Sequence, residues 1–303
     1  MSSQISTLLE KAKNLKDAFE PIGCAQSFGA KYLETQFGPA AILPKDLIIN
    51  CECDPEMTLA ERLTNPTERN ILFSYFQEVG DRVETILSQQ KRPLVIGGDH
   101  SLSIGTVSGF KKHYPSSEIG LVWVDAHLDS HTPETSPSQK LHGMPLAVLM
   151  GHGPKNLCNL YELGTKLKPE NLFIIGARSY EQGEFDLLKK LNVRVYFKEE
   201  VDSRGFEDCF VEILSTLSQK ALPFAVSVDL DVMDPSFGSG FGSPEAGGIS
   251  PDELYSIMEK LSLETLCKMV EIVEYNPTLD EEGKTKNVIT NLINHLTHAR
   301  SSL

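Results

Sequence analysis

Short runs of apolar, mostly β-branched residues recur along the chain, with polar or helical stretches between them. Six runs have the length of buried strands, at residues 94–96, 121–124, 172–175, 193–197, 224–228 and 270–273. Helical periodicity lies between several of them, for example over residues 71–90 and 207–219. This alternation predicts an α/β fold in three layers, with helices on both faces of a largely parallel sheet.

Four of the predicted strands end abruptly in polar residues. The chain reads GGDH at 97–100, DAHLD at 125–129 and DLD at 229–231, and Glu274 follows the last run. Ligands of parallel sheets bind in the crevice beyond the carboxyl ends of the strands. We therefore expect these polar side chains to converge on one site.

The polar residues at these strand ends have the spacing of metal ligands. In extended backbone, alternate residues share one face. The candidates are two imidazoles and four carboxylates: His100, His127, Asp125, Asp129, Asp229 and Asp231. Buried carboxylates two residues apart repel one another unless a cation neutralises them. This donor set suits two divalent ions, and its imidazole and oxygen ligands favour Mn²⁺ over structural zinc. The predicted chemistry is metal-assisted hydrolysis.

Composition and charge narrow the choice of partners. The chain has 303 residues, with 42 acidic against 28 basic side chains and a formal net charge of −14. Such a field repels phosphate backbones and anionic lipid and favours cations, so we expect no nucleic-acid or membrane partner. No apolar run approaches the roughly 20 residues that cross a bilayer.

The sequence carries three indications of domain organisation and location. No linker or repeat divides the chain, so we expect a single domain over residues 1–303. The N-terminal stretch is helical in pattern and resembles neither a secretory nor a transit segment, which predicts a cytoplasmic protein. The six cysteines are scattered, and we expect them to be reduced thiols.

Three segments together resemble the signatures of the ureohydrolase family. They are GGDHS at 97–101, DAHLD at 125–129 and SVDLDVMDP at 227–235, and the similarity runs from GPAAI at 38–42 to EYNP at 274–277. Within this family the chain is most similar to the arginases. The resemblance implies an enzyme that converts L-arginine and water to L-ornithine and urea, through attack of a metal-bridging hydroxide on the guanidinium carbon. It also implies a homo-oligomer, a trimer or hexamer.

The resemblance assigns roles to the metal ligands. One Mn²⁺ ion is expected on His100, Asp125, Asp129 and Asp229. The other is expected on Asp125, His127, Asp229 and Asp231, so that Asp125 and Asp229 bridge the two ions per chain. Asp129 matches the carboxylate that also holds the bridging hydroxide.

The resemblance also implies catalytic and substrate-binding side chains. His142 matches a proton-shuttling histidine, and Glu274 matches the carboxylate that grips the guanidinium. Seven residues are expected to bind substrate: His131, Ser136, Ser138, Glu181, Glu184, Ser243 and Glu274. His131 replaces the asparagine that arginases commonly have there, and Gln139-Lys140 replaces a Gly-Asn pair. These two departures either strengthen carboxylate binding or accommodate a different substrate tail.

Two kinds of alternative function stay open at this point. Another ureohydrolase, such as an agmatinase, a guanidino-acid hydrolase or a formimidoylglutamase, shares every metal ligand and differs only in the substrate tail. A catalytically silent binding protein that retains the fold is the second alternative. A silent site has no evident reason to keep four mutually repelling carboxylates, which favours the enzyme.

Overall fold

The computed structural model describes residues 17–30, 32–54 and 57–298. The predicted N-terminal helical stretch lies outside the described residues. Within the described part of the chain, eight parallel strands form one sheet in the order β2-β1-β3-β8-β7-β4-β5-β6. The strands are β1 (Phe19–Ala25), β2 (Ile48–Asn50), β3 (Arg92–Gly97), β4 (Gly120–Val124), β5 (Leu172–Ile175), β6 (Arg194–Tyr196), β7 (Phe224–Asp229) and β8 (Cys267–Val273).

Helices connect the strands and cover the sheet. In the described residues they are α1 (Gly38–Ile42), α2 (Leu59–Thr64), α3 (Pro66–Ser88), α4 (Ser103–His113), α5 (Pro145–Leu149), α6 (Lys155–Cys158), α7 (Gln182–Leu191), α8 (Lys198–Arg204), α9 (Phe206–Gln219), α10 (Pro251–Leu263) and α11 (Lys284–His298). Local sequence fixes their starts: Asn65 caps α3 by accepting from the backbone N–H groups of Thr67 and Glu68. Ser250 and Glu253 form a capping box at the start of α10.

The strand residues alternate between two hydrophobic cores, one on each face of the sheet. Leu94, Ile96, Val122 and Val124 belong to the core under α9, α10 and α11. Their neighbours in sequence, including Val95, belong to the core under α3, α4 and α5. Because successive side chains of a strand point to opposite faces, this division shows three layers. The predicted α/β fold with a parallel sheet is confirmed.

The sheet order brings the polar strand ends together. Strands β3, β8, β7 and β4 are consecutive neighbours at the centre of the sheet. The predicted ligands and Glu274 lie at the carboxyl ends of these four strands. Because all strands are parallel, their carboxyl ends share one edge, and the site is built there.

Two further sequence expectations concern the thiols and the membrane. All six cysteines are free in the structure, and five of them are buried. Within the described residues, no helix combines the length and apolarity that crossing a bilayer requires.

Candidate active site

The first cluster of predicted ligands surrounds the ring of His100 just beyond β3. Its Nδ1 atom lies 3.2 Å from Oδ2 of each of three carboxylates, Asp125, Asp129 and Asp229. Asp125 and Asp129 follow β4, and Asp229 is the last residue of β7, so the sheet order places them together. His100, Asp125 and Asp229 form a group whose ligand atoms are close enough to hold one metal ion.

The orientation of the His100 ring is fixed on its other sides. The ring stacks on Trp123, with centroids 3.8 Å apart and planes within 6° of parallel. Its Nε2 atom lies 2.7 Å from the Ser227 hydroxyl oxygen, and its backbone N–H donates to Glu274 Oε1. These contacts fix the ring so that Nδ1 faces the carboxylates. A metal-binding histidine is usually oriented in this way, by a partner at the ring nitrogen that does not bind the metal.

The second cluster shares Asp125 with the first. His127 Nδ1 lies 2.9 Å from Asp231 Oδ2 and 3.5 Å from Asp125 Oδ1. These three residues form another group with metal-binding geometry. Backbone donors also fix the carboxylates: the Asp231 N–H donates to Asp229 Oδ1, and the His127 N–H donates to Asp125 Oδ1. The two groups describe a binuclear metal site with one common carboxylate.

The electrostatics and the unpaired atoms of the clusters fit bound cations. Burial, and then the charges of Asp231 and Asp125, raise the pKa of Asp229 well above its usual range. Burial and the Asp125 charge raise the pKa of Asp129 to about 6. His100 Nδ1 and Asp125 Oδ2 are buried and lie 3.2 Å apart, but neither atom is in hydrogen-bonding geometry with a described residue. A cation held by these residues would satisfy both atoms and offset the repulsion between the carboxylates.

Two residues of the site have backbone conformations that residues other than glycine rarely adopt. Asp129 and Glu274 have positive φ angles of 41° and 65°. Gly98 lies against the chain after β1, where a Cβ atom would sit 1.8 Å from the carbonyl oxygen of Gln26. The positive φ angles of Asp129 and Glu274 are a form of backbone strain that is typical of functional sites.

An open cleft lies above the clusters. Predicted ligands line its floor, and His142 and Glu274 line its wall. His142 lies on a short turn, Leu141–Gly143, and its Nδ1 is 3.2 Å from Glu274 Oε1. Burial lowers the pKa of His142, but the Glu274 carboxylate outweighs it and raises the pKa to about 9. The imidazolium form therefore predominates at neutral pH.

The outer end of the cleft is acidic and contains the departure at His131. His131 Nε2 lies 2.9 Å from Glu181 Oε2, and its Nδ1 lies 3.0 Å from the Thr135 hydroxyl oxygen. Glu184 is buried and accepts from the N–H groups of Ser130 and Glu181. Burial raises the pKa of Glu184 to about 8, whereas the hydrogen bond with His131 lowers the pKa of Glu181, so Glu181 carries the negative charge here at neutral pH.

The predicted serines differ in position. Ser138 and Ser243 line the cleft, together with His131, Glu181 and Glu184. Ser136 is buried, and its hydroxyl oxygen accepts from the backbone N–H of Gln139. Its side chain thus shapes the loop that carries Ser138, and it is not among the described residues that line the cleft.

Trp123, Ser227 and Arg178 also contact the site and are not among the predicted site residues. Trp123 and Ser227 each lie two positions before a predicted ligand, so their side chains are on the same face of the strand as that ligand. The two-residue spacing that predicts ligands beyond the strand ends therefore also applies within the strands. Extending that spacing backwards would have found them. Arg178 donates to the backbone carbonyl oxygens of Asp231 and Glu245, and no local pattern indicates such long-range contacts.

Comparison with known proteins agrees with this geometry. The model of the Arginase family matches residues 22–298. An arginase of Bacillus subtilis is 41% identical over 78% of this chain and 80% of its own length. A crystal structure of Bacillus subtilis arginase has a TM-score of 0.81 at 34% identity, covering 93% of this chain and 98% of the other.

A third match is an Entamoeba histolytica arginase solved in complex with L-ornithine. Its TM-score is 0.81 at 29% identity, over 93% of this chain and 99% of that one. The prediction of a hydrolase of the ureohydrolase family is confirmed by these matches. The chain belongs to the arginase family.

Proposed function

We propose that this single-domain enzyme hydrolyses L-arginine to L-ornithine and urea with two Mn²⁺ ions. One observation carries the proposal: two ligand clusters that share Asp125 lie under a cleft whose wall holds His142 and Glu274. The cleft is acidic at its outer end as well, where Glu181 lies. This arrangement suits a substrate with a planar cation at one end and an ammonium group at the other.

The proposed ion sites use the donors that the chain provides. His100, Asp125, Asp129 and Asp229 would hold one ion; Asp125, Asp229, His127 and Asp231 would hold the other. Imidazole and carboxylate donors without thiolate favour Mn²⁺ over a structural zinc ion. When bound, two such ions lower the pKa of water so that hydroxide is available near neutral pH.

Side chains of the cleft supply orientation and proton transfer. The Glu274 carboxylate binds the guanidinium, for which a pair of oxygens is the natural partner. Asp129 accepts a hydrogen bond from the attacking water at the cleft floor. As the bond between the guanidinium carbon and the substrate's chain nitrogen breaks, His142 protonates that nitrogen. An imidazolium with a pKa of about 9 is charged at neutral pH and can donate this proton.

The outer cleft is proposed to bind the amino-acid end. The Glu181 carboxylate faces the α-ammonium, and the hydroxyl groups of Ser138 and Ser243 face the α-carboxylate. The similarity to an arginase solved with L-ornithine supports an amino-acid product here. His131 contacts Glu181 and so belongs to the same subsite.

The cellular context is part of the same proposal. We expect a cytoplasmic homo-oligomer, a trimer or hexamer as in the family. Light scattering on the purified chain tests the subunit number, and a monomer would contradict it.

Urea release tests the proposed reaction. Purified protein loaded with Mn²⁺ is given equal concentrations of L-arginine, agmatine or 4-guanidinobutyrate, beside metal-stripped protein. We expect metal-dependent release that is fastest with L-arginine. Faster release from another guanidine would change the proposed substrate but not the proposed reaction type. No release from any of the three would direct the assay to formimidoylglutamate, and inactivity there would favour a silent binding protein.

A further inference from the structure

The ring of His127 lies between carboxylates on both of its edges. Nδ1 faces Asp231, at 2.9 Å, which makes it the nitrogen on the side of the proposed ions. The other nitrogen, Nε2, lies 3.8 Å from Glu245 Oε1. That separation is an ion-pair distance, longer than a hydrogen bond. Glu245 comes from the loop after β7, and no motif in the sequence selects it.

The position of Glu245 is fixed by neighbours outside the ligand clusters. The Ser179 hydroxyl donates to the same Oε1 atom at 2.9 Å. Arg178 Nη2 donates to the Glu245 carbonyl oxygen at 2.8 Å, and Arg178 Nε donates to that of Ala246. On the far side, the Gly247 N–H donates to Asp234 Oδ2. The loop is therefore anchored on both sides of Glu245.

One guanidinium joins Glu245 to a ligand of the second cluster. The Nη2 atom that binds the Glu245 carbonyl oxygen also donates to the Asp231 carbonyl oxygen, at 2.7 Å. Asp231 and Glu245 are the residues that face the two nitrogens of His127. The two partners of the ring are thus held in a common frame by Arg178.

The two histidines differ in what faces the nitrogen directed away from the ions. For His100 this partner is the neutral hydroxyl of Ser227, at 2.7 Å. For His127 it is the carboxylate of Glu245. A carboxylate behind a metal-binding histidine orients the ring and makes it a stronger ligand. The two clusters therefore differ in the group behind the histidine, which is a hydroxyl for His100 and a carboxylate for His127.

We propose that Glu245 is a positioning residue for His127. It selectively raises the affinity for the ion held by Asp125, His127 and Asp231. This inference rests on the binuclear site of the proposed function. The Glu245 side chain is 39% exposed. The ion held by the His100 cluster does not depend on it.

Metal binding, measured without any activity assay, tests this proposal. The metal-stripped full chain is titrated with Mn²⁺ by calorimetry, and bound ions are counted by elemental analysis. We expect Glu245→Ala to weaken one of two binding events by about 10- to 100-fold and to leave the other unchanged. Glu245→Gln keeps an oxygen without the charge, so its loss should be intermediate. Ser179→Ala should cause a smaller loss in the same event.

A matched control removes one negative charge from a residue outside the cleft. Glu134 is exposed and is not among the described residues that line the cleft, so Glu134→Gln should leave both binding events unchanged. Unchanged affinities in Glu245→Ala, or equal weakening of both events, would overturn the positioning role. Wild-type protein that binds fewer than two ions would instead overturn the binuclear premise, and with it the proposed function.

Discussion

His142 Nδ1 lies 3.2 Å from Glu274 Oε1, although the two residues are 132 positions apart in the sequence. The contact joins the short turn after the β4 loop to the end of β8, across the wall of the cleft. It raises the pKa of His142 to about 9 against the opposing effect of burial. A proton donor is thereby kept charged beside the proposed guanidinium site.

Replacing His142 by asparagine should slow turnover without removing metal. General acid catalysis contributes typically about 10²- to 10⁴-fold, so we expect a fall in kcat of this order. Because the imidazolium is present below its pKa of about 9, the difference from wild type should be largest below pH 9 and narrow above it. Steady-state kinetics across this pH range check the prediction. A kcat equal to that of the wild type throughout would exclude the proton-transfer role.

Asp229→Ala should remove bound metal and most activity. Asp229 Oδ2 faces His100 Nδ1 at 3.2 Å, and its Oδ1 accepts from the Asp231 N–H, so its loss disturbs both clusters. Elemental analysis after gel filtration measures the ions retained. Asp252→Ala is a suitable control, because Asp252 is exposed in the first turn of α10 and belongs to neither ligand cluster. A variant at Asp229 that keeps two ions per chain would contradict its assignment as a ligand.

Glu274→Gln should weaken substrate use while metal content stays the same. The amide oxygen can still accept from the His100 N–H, but the charge that faces the guanidinium is lost. A hydrogen bond to a charged group contributes about 1.5–3 kcal/mol, which predicts a fall in kcat/KM of about one to two orders of magnitude. If kcat/KM for L-arginine changed less than about threefold, far below that range, Glu274 would not be the guanidinium contact.

Glu181→Gln should act mainly on KM. The Glu181 side chain is 61% exposed, and exposed ion pairs contribute only about 0.2–1 kcal/mol, so the rise in KM should be about fivefold or less. L-arginine and agmatine, which carry an ammonium group at this end, should both be affected. The guanidino acid 4-guanidinobutyrate has no ammonium group, so this substitution should leave its KM constant. An equal rise for all three compounds would argue against a contact with the ammonium group.

The sequence predicted six of the strands but missed β1 and β2, for physical reasons. Phe19–Ala25 contains Pro21 and Gly23, which ordinarily argue against a central strand. Pro21 is nevertheless paired with Leu94 of β3 in the parallel ladder. Ile48–Asn50 is only three residues long and none of them is buried, so it carries no periodic signal.

The site was predictable where its residues follow strands, and less so where they come from loops. Asp125 and Asp229 sit at the ends of buried runs, so alternation and the parallel sheet bring them together. Ser136 and Ser138 lie in one loop, and the family resemblance assigns both to substrate binding. Of the two, only Ser138 lines the cleft. Glu245 was missed because its contact with His127 depends on how two loops meet.

Joint measurement of bound ions and urea release during a Mn²⁺ titration addresses the proposed binuclear chemistry most directly. Metal-stripped wild-type protein is titrated with Mn²⁺, and bound ions per chain and urea released from L-arginine are determined at each step. We predict no urea release without metal, and full activity only as uptake approaches two ions per chain. Urea release at the full rate from metal-free protein, or from protein that saturates at one ion, would contradict it.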